Sequence, residues 1–150
     1  MNGRSAWKYQ PDTPIPLVEL TGWSLEGFRI ETMVLFPAAI PKAFSQWQVG
    51  YPDIDGRPVE VVRGINAGQS PVNFYFDESG PLVRLVRWTE TGAGPVPVQI
   101  DYSDYREVAA VKMPFSSIIT WTNGQSTIRP RDVKPNVSID DARFSIPQTR

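Results

Sequence analysis

Three pairs of carboxylates stand close together in this chain: Asp53 with Asp55, Asp101 with Asp104, and Asp140 with Asp141. Such oxygen-rich clusters are the raw material of a Ca2+ site, which needs about six to eight oxygen ligands from carboxylates, carbonyls and water. None of the three has the spacing of an EF-hand loop. Asp55-Gly56 reads more simply as a turn, and Asp140 as the cap of a terminal helical turn. Asp101 and Asp104, in "IDYSDYR", keep more chemistry around them, because Tyr102, Tyr105 and Arg106 crowd the same stretch. A carboxylate there could activate water, with Tyr102 or Tyr105 as proton donor and a weakly held Ca2+ polarising a carbonyl. That arrangement would make a hydrolase of acyl esters or acyl lactones. The plainer reading is a pair of solvated surface carboxylates. Arg84, Arg87 and Arg106 divide the same way. Each either pairs across a sheet with Glu90, Asp101 or Asp104, or grips a carboxylate or lactone carbonyl at a cavity mouth.

Two absences narrow the chemistry further. The chain has no histidine and no cysteine. Serine–histidine and cysteine–histidine mechanisms are therefore excluded, as are disulfides and thiolate metal sites. Tight transition-metal binding is not expected, and folding should need no metal. The expected cofactor is none, with Ca2+ as the alternative.

At 150 residues and 16.8 kDa, the length fits one domain with a real core. A formal net charge of -1 and 21% charged residues argue against nucleic acid as a partner. No stretch approaches the ~20 apolar residues of a membrane span. The opening "MNGRSAWKYQ" lacks a charged-then-apolar signal pattern.

The elements that must position these residues fall into two parts, 1–48 and 49–150. The first holds a strand candidate, "SAWKY", a proline-rich "QPDTPIPLVELTG", and a helical stretch, "SLEGFRIETMVLFPAAIPKAFSQW". Leu25, Phe28, Leu35 or Phe36, Ile40, Phe44 and Trp47 recur there near a helical period. Ser24 suits the first cap, and Pro37 suits the first turn of a second helix, so two short helices with a bend at Phe36-Pro37 are expected. The second part alternates turn signals with runs rich in Val, Ile, Phe, Tyr and Trp. Asp55-Gly56, Ser79-Gly80 and Asn123-Gly124 punctuate strands expected over 58–63, 72–77, 82–90, 96–103, 113–122 and 125–133. "TGAGPVP" at 91–97 reads as a connection, and Pro130 places its strand at an edge or on a bulge. The expected fold class is α+β: a curved antiparallel sheet, an open half-barrel, with two short helices across its concave face.

"YFDESGPLVRLVR", "DYSDYREVAAVKMPF" and "WTNGQSTIRPRDVKPNVSIDDARFSIP" follow one another in the last half of the chain. Their order resembles the C-terminal half of the LolA/LolB-like, lipoprotein-sorting-protein-like superfamily of bacterial envelopes. The matching positions are Phe76, Asp77, Gly80, Leu82, Val83 and Arg84, then Asp104, Tyr105, Arg106, Val111, Lys112, Met113, Pro114 and Phe115. The third set is Asn136, Val137, Ile139, Asp140, Phe144 and Pro147. Ala109-Ala110 stands where such turns often carry glycine. The resemblance implies an open barrel with an apolar interior that holds acyl chains beneath helical lids, in the periplasm or cell envelope. Its implied partner is an apolar or acylated small molecule, or a lipoprotein.

Strand alternation predicts who lines such a cavity. Phe74 with Phe76, Val86 with Trp88, Ile100 with Tyr102 and Ile119 with Trp121 would face Phe28, Phe36, Phe44 and Trp47 of the helices. The candidate ligand-binding residues are Phe28, Phe44, Trp47, Phe76, Trp88, Tyr102 and Trp121. Trp88 and Tyr102, with polar tips, suit the rim, and the alternative for every one of them is plain core packing. Members of the superfamily begin with a helix and strands absent ahead of Ser5–Tyr9 here, so that strand is expected at an unprotected edge. Two copies pairing through Trp7 and Tyr9 would close the half-barrel, which predicts a homodimer. A structural assembly domain is the remaining alternative.

Overall fold

The computed structural model describes residues 5–146. Ala6–Tyr9 (β1) and Leu17–Leu20 (β2) pair antiparallel as a separate two-stranded sheet. The proline-rich segment turns between them, closed by Gln10 N–H donating to Pro16 O at 2.7 Å. The strand near Ser5–Tyr9 is therefore not bare: β2 occupies one of its edges. The sequence hid β2 because four residues after a run of prolines carry too little alternation to stand out.

The helical stretch forms as two segments. Gly22–Val34 (α1) is an α-helix, and Pro37–Lys42 is a 3-10 helix with proline in its first turn. The bend thus falls at Phe36-Pro37. The cap differs from expectation: Thr21 is the N-cap, and Ser24 sits inside the helix with its hydroxyl 3.1 Å from Thr89 Oγ1. The helical period also runs past the real end. Gln46–Gly50 is a strand (β3), so Trp47 belongs to the sheet. Asn66 fixes that crossover, accepting from Ser45 N–H at 2.8 Å and donating to Ala43 O at 2.9 Å.

The main sheet adds Asp53–Ile54 (β4), Arg57–Ile65 (β5), Val72–Asp77 (β6), Leu82–Thr91 (β7), Gly94–Val108 (β8), Val111–Trp121 (β9) and Gly124–Ile128 (β10). Its order is β10-β9-β8-β7-β6-β5-β3, an antiparallel meander from β5 onward, with β4 pairing the start of β5. The fold is α+β, an antiparallel sheet with helices. One register row runs across it: Val62 opposite Phe74, Phe74 opposite Leu85, Leu85 opposite Ile100, Ile100 opposite Ile119. That row, under Ile30 of α1, is the core; Phe74, Leu85, Ile100 and Ile30 are at most 2% exposed.

β7 needs a bulge to join this row. Phe76 pairs with Leu82 but Tyr75 pairs with Arg84, leaving Val83 as the extra residue. Leu82 and Leu85 are three apart, and strict alternation would turn one of them outward. With the bulge both are buried. Beyond it, Leu85 and Arg87 face α1, so Val86 and Trp88 take the other face, contrary to the expected pairing of Val86 and Trp88 with Phe74 and Ile100. Phe36 also departs from expectation, being 70% exposed at the bend.

Two expected boundaries move. β8 begins at Gly94 and includes Pro95 and Pro97; β9 reaches only as far as Gln99, so both prolines lie where that side of the strand is open. β10 stops at Ile128, and Pro130 lies beyond it. Pro147 lies outside the described residues.

Turn chemistry makes one stability prediction. Asp55 and Gly56, with φ of 52° and 75°, form a two-residue left-handed turn from residues suited to it. Ala109 and Ala110 form the same kind of turn between Val108 and Val111, with φ of 49° and 65°. A Cβ in that region is strained. Replacing Ala109-Ala110 by Asn-Gly should raise stability by about 1 kcal/mol, or about 2–4 °C in Tm for a domain of this size. Thermal melts of the two proteins check this; an unchanged or lower Tm would mean the turn is not strained.

Candidate functional site

The site grows from a glycine. Gly64 of β5 pairs with Trp47 of β3, and a Cβ at Gly64 would lie 2.5 Å from Cγ of Phe44. Without that Cβ, Phe44 drops against the sheet. Its ring meets Trp47 edge-on at 5.0 Å between centroids and Phe74 at 6.0 Å, and Trp47 stands 6.2 Å from Phe74. Edge-to-face contacts at these distances stabilise the cluster beyond its burial.

Beside the cluster lies an apolar groove of about 290 Å3, lined by Ile40, Pro41, Trp47, Val62, Phe74 and Phe76. A second groove, about 300 Å3, shares Ile40 and Phe76 and runs toward Leu82, Tyr105, Lys112 and Pro114. Each is near the lower end of the range for small-molecule sites, about 300–1,000 Å3. The 3-10 helix forms one wall of both.

Of the expected ligand-binding residues, Trp47 and Phe76 line the first groove and Phe44 packs behind it. Phe28, Trp88, Tyr102 and Trp121 do not line it. Phe28 is a half-buried residue of α1. Of Trp88 only the backbone approaches α1, a Cβ on Gly27 coming within 2.9 Å of its carbonyl oxygen; the roughly 260 Å3 cavity there also involves Trp23, Ile30 and Arg87. Tyr102 packs on the core edge, and Trp121, 39% exposed, ends β9 against Gly124. The sequence did not single out Pro41 or Val62. Val62 becomes legible only through its register with Phe74.

The carboxylates are engaged separately. Asp101 accepts from Arg84 Nε at 2.6 Å and from Gln99 Nε2 at 2.7 Å. Asp104, in a left-handed conformation with φ of 54°, accepts from Arg106 Nη2 at 2.6 Å, and that hydrogen bond holds its carboxyl below the usual range. Arg106 also lies over the Phe115 ring, 4.6 Å from its centroid. Among the described residues no group of three or more His, Cys, Asp or Glu side chains gathers where it could hold a metal ion.

The two tyrosines are held protonated. Burial, reinforced by the charge of Glu31, pushes Tyr102 strongly upward. Burial and the charge of Asp77 push Tyr105 up to about 12, and its hydroxyl donates to Leu82 O at 2.6 Å. Glu31 is itself held by Arg87, which reaches from β7 to α1. These groups brace the helix on the sheet.

An antiparallel meander with a helical flank, an apolar groove under the 3-10 helix, and no histidine or cysteine: these define a histidine-free α+β domain with a hydrophobic cleft. The chain belongs to DUF6544, a family of unknown function, whose profile matches residues 18–129, from β2 to just past β10. No curated protein and no solved structure matches it. Among the described residues no helix is long and apolar enough to cross a membrane.

Proposed function

We propose that this protein is a small LolA/LolB-like module that holds an acylated or otherwise apolar ligand, doing so in the periplasm or cell envelope as the resemblance implies. The observation that carries the reading is the groove beside Phe74, whose six lining residues are all hydrophobic although the groove is open to solvent. An open apolar cleft in a soluble chain is costly to leave wet, and a hydrophobic ligand offsets that cost. The engaged states of Asp101, Asp104 and Tyr105 favour binding over hydrolysis, since none is a free base or donor.

Trp47 is the natural reporter. A single-chain amphiphile should change tryptophan emission saturably, and Trp47→Phe should abolish the change while Trp88→Phe preserves it. A response that survives in Trp47→Phe and vanishes in Trp88→Phe would move the site to the face of the sheet opposite α1. No response to any amphiphile from a folded sample would overturn the proposal.

A further inference from the structure

The two grooves differ in one respect that bears on the ligand's chemistry. The groove at Trp47 is lined only by hydrophobic residues, whereas the groove that shares its Ile40 and Phe76 also carries Lys112. Lys112 is exposed, and unlike Arg84, Arg87 and Arg106 it makes no direct ion pair among the described residues. Arg87 pairs with Glu31, Arg84 with Asp101 and Arg106 with Asp104. Its register neighbour Glu107 stands opposite it on β8 without pairing. The other polar groups along this groove are committed: Tyr105 donates to Leu82 O, and Ser79 Oγ lies 2.7 Å from Asp77 Oδ1.

Resting on the binding role proposed above, we infer that the ligand is a single-chain acyl carboxylate, its chain along Ile40, Phe76 and Trp47 and its carboxylate against the Lys112 ammonium. An apolar path that ends at one cation free of a direct ion pair complements an amphiphile with one anionic end. A neutral ester, alcohol or lactone would offer that ammonium no charge to pair with. Because Lys112 is exposed, the contribution of the charge should be moderate and should weaken with salt.

Binding of dodecanoate and dodecanol, measured by calorimetry on the full chain at neutral pH, tests this with the chain length held fixed. Dodecanoate should bind about tenfold more tightly, a ratio equivalent to 1.4 kcal/mol. Lys112→Met, which keeps the stem and removes the charge, should bring the two ligands to within about twofold, while Lys112→Arg should keep the preference. If neither ligand binds, the binding role itself falls. If both bind wild-type equally, or if Lys112→Met leaves the preference intact, the binding role stands and the carboxylate assignment is overturned.

Discussion

Phe74→Ala is expected to lower the free energy of unfolding by about 3–5 kcal/mol, the usual cost of removing a fully buried aromatic ring. Phe74 is 1% exposed and lies in the register row between Val62 and Leu85, with the rings of Phe44 and Trp47 leaning on it. Its removal takes away part of the lining of the apolar groove together with one edge-on contact to Phe44 and one tilted contact to Trp47. Much of the destabilisation should come from the cavity left behind, because the neighbouring β-strands cannot collapse far into it. Denaturant unfolding measures the loss. A change below about 1 kcal/mol would show that the row is not the centre of the core.

Arg87→Leu should be nearly as damaging, at about 3 kcal/mol, because it leaves Glu31 without its cation between α1 and the sheet. The side chains of Arg87 and Glu31 are 13% and 22% exposed, so residual solvent keeps the effect toward the low end of the buried range. The helix is close here: a Cβ on Gly27 would come within 2.6 Å of Arg87 Nη1. Glu31→Leu should cost a similar amount. The double variant should cost clearly less than the two single changes combined, since each alone strands a charge and together they strand none. Additive losses in a double-mutant cycle would mean that the pair contributes packing and no charge coupling.

These two residues also show how far the sequence could be read. Phe74 was legible as an inward strand residue, because 72–77 alternates cleanly and the structure places β6 over those same residues. Arg87 was legible as a cation but not as a helix partner. "LVRLVR" repeats every three residues, and only the bulge at Val83 decides that Leu82, Leu85 and Arg87 face α1 while Arg84 turns to Asp101. A bulge has no residue signature in that run, so the expected inward place of Trp88 moved with it.

Turn chemistry is specific at Asp55-Gly56, where the turn falls on those two residues, and less so at Asn123-Gly124. There Trp121 pairs with Gly124, so Thr122 and Asn123 form the loop. The sequence places Trp47 in the helical stretch because Ile40, Phe44 and Trp47 keep a helical spacing through a segment that is really a 3-10 turn, a link and a strand. Of the residues at the groove, the sequence singles out Phe44, Trp47 and Phe76. It does not single out Val62 or Pro41, because their part in the groove depends on the pairing of β5 with β6 and on the path of the 3-10 helix.

The central claim is that the open groove under the 3-10 helix holds an acyl chain, and plugging the groove tests it directly. Ile40→Trp would put a larger side chain into the wall common to both grooves without adding charge. Native mass spectrometry of wild-type and Ile40→Trp protein, each incubated with dodecanoate and each first shown to melt cooperatively, gives the answer. The account predicts a one-to-one adduct on the wild-type chain and its loss on Ile40→Trp. An adduct that persists undiminished on the plugged protein, or none on the wild-type chain, would contradict it.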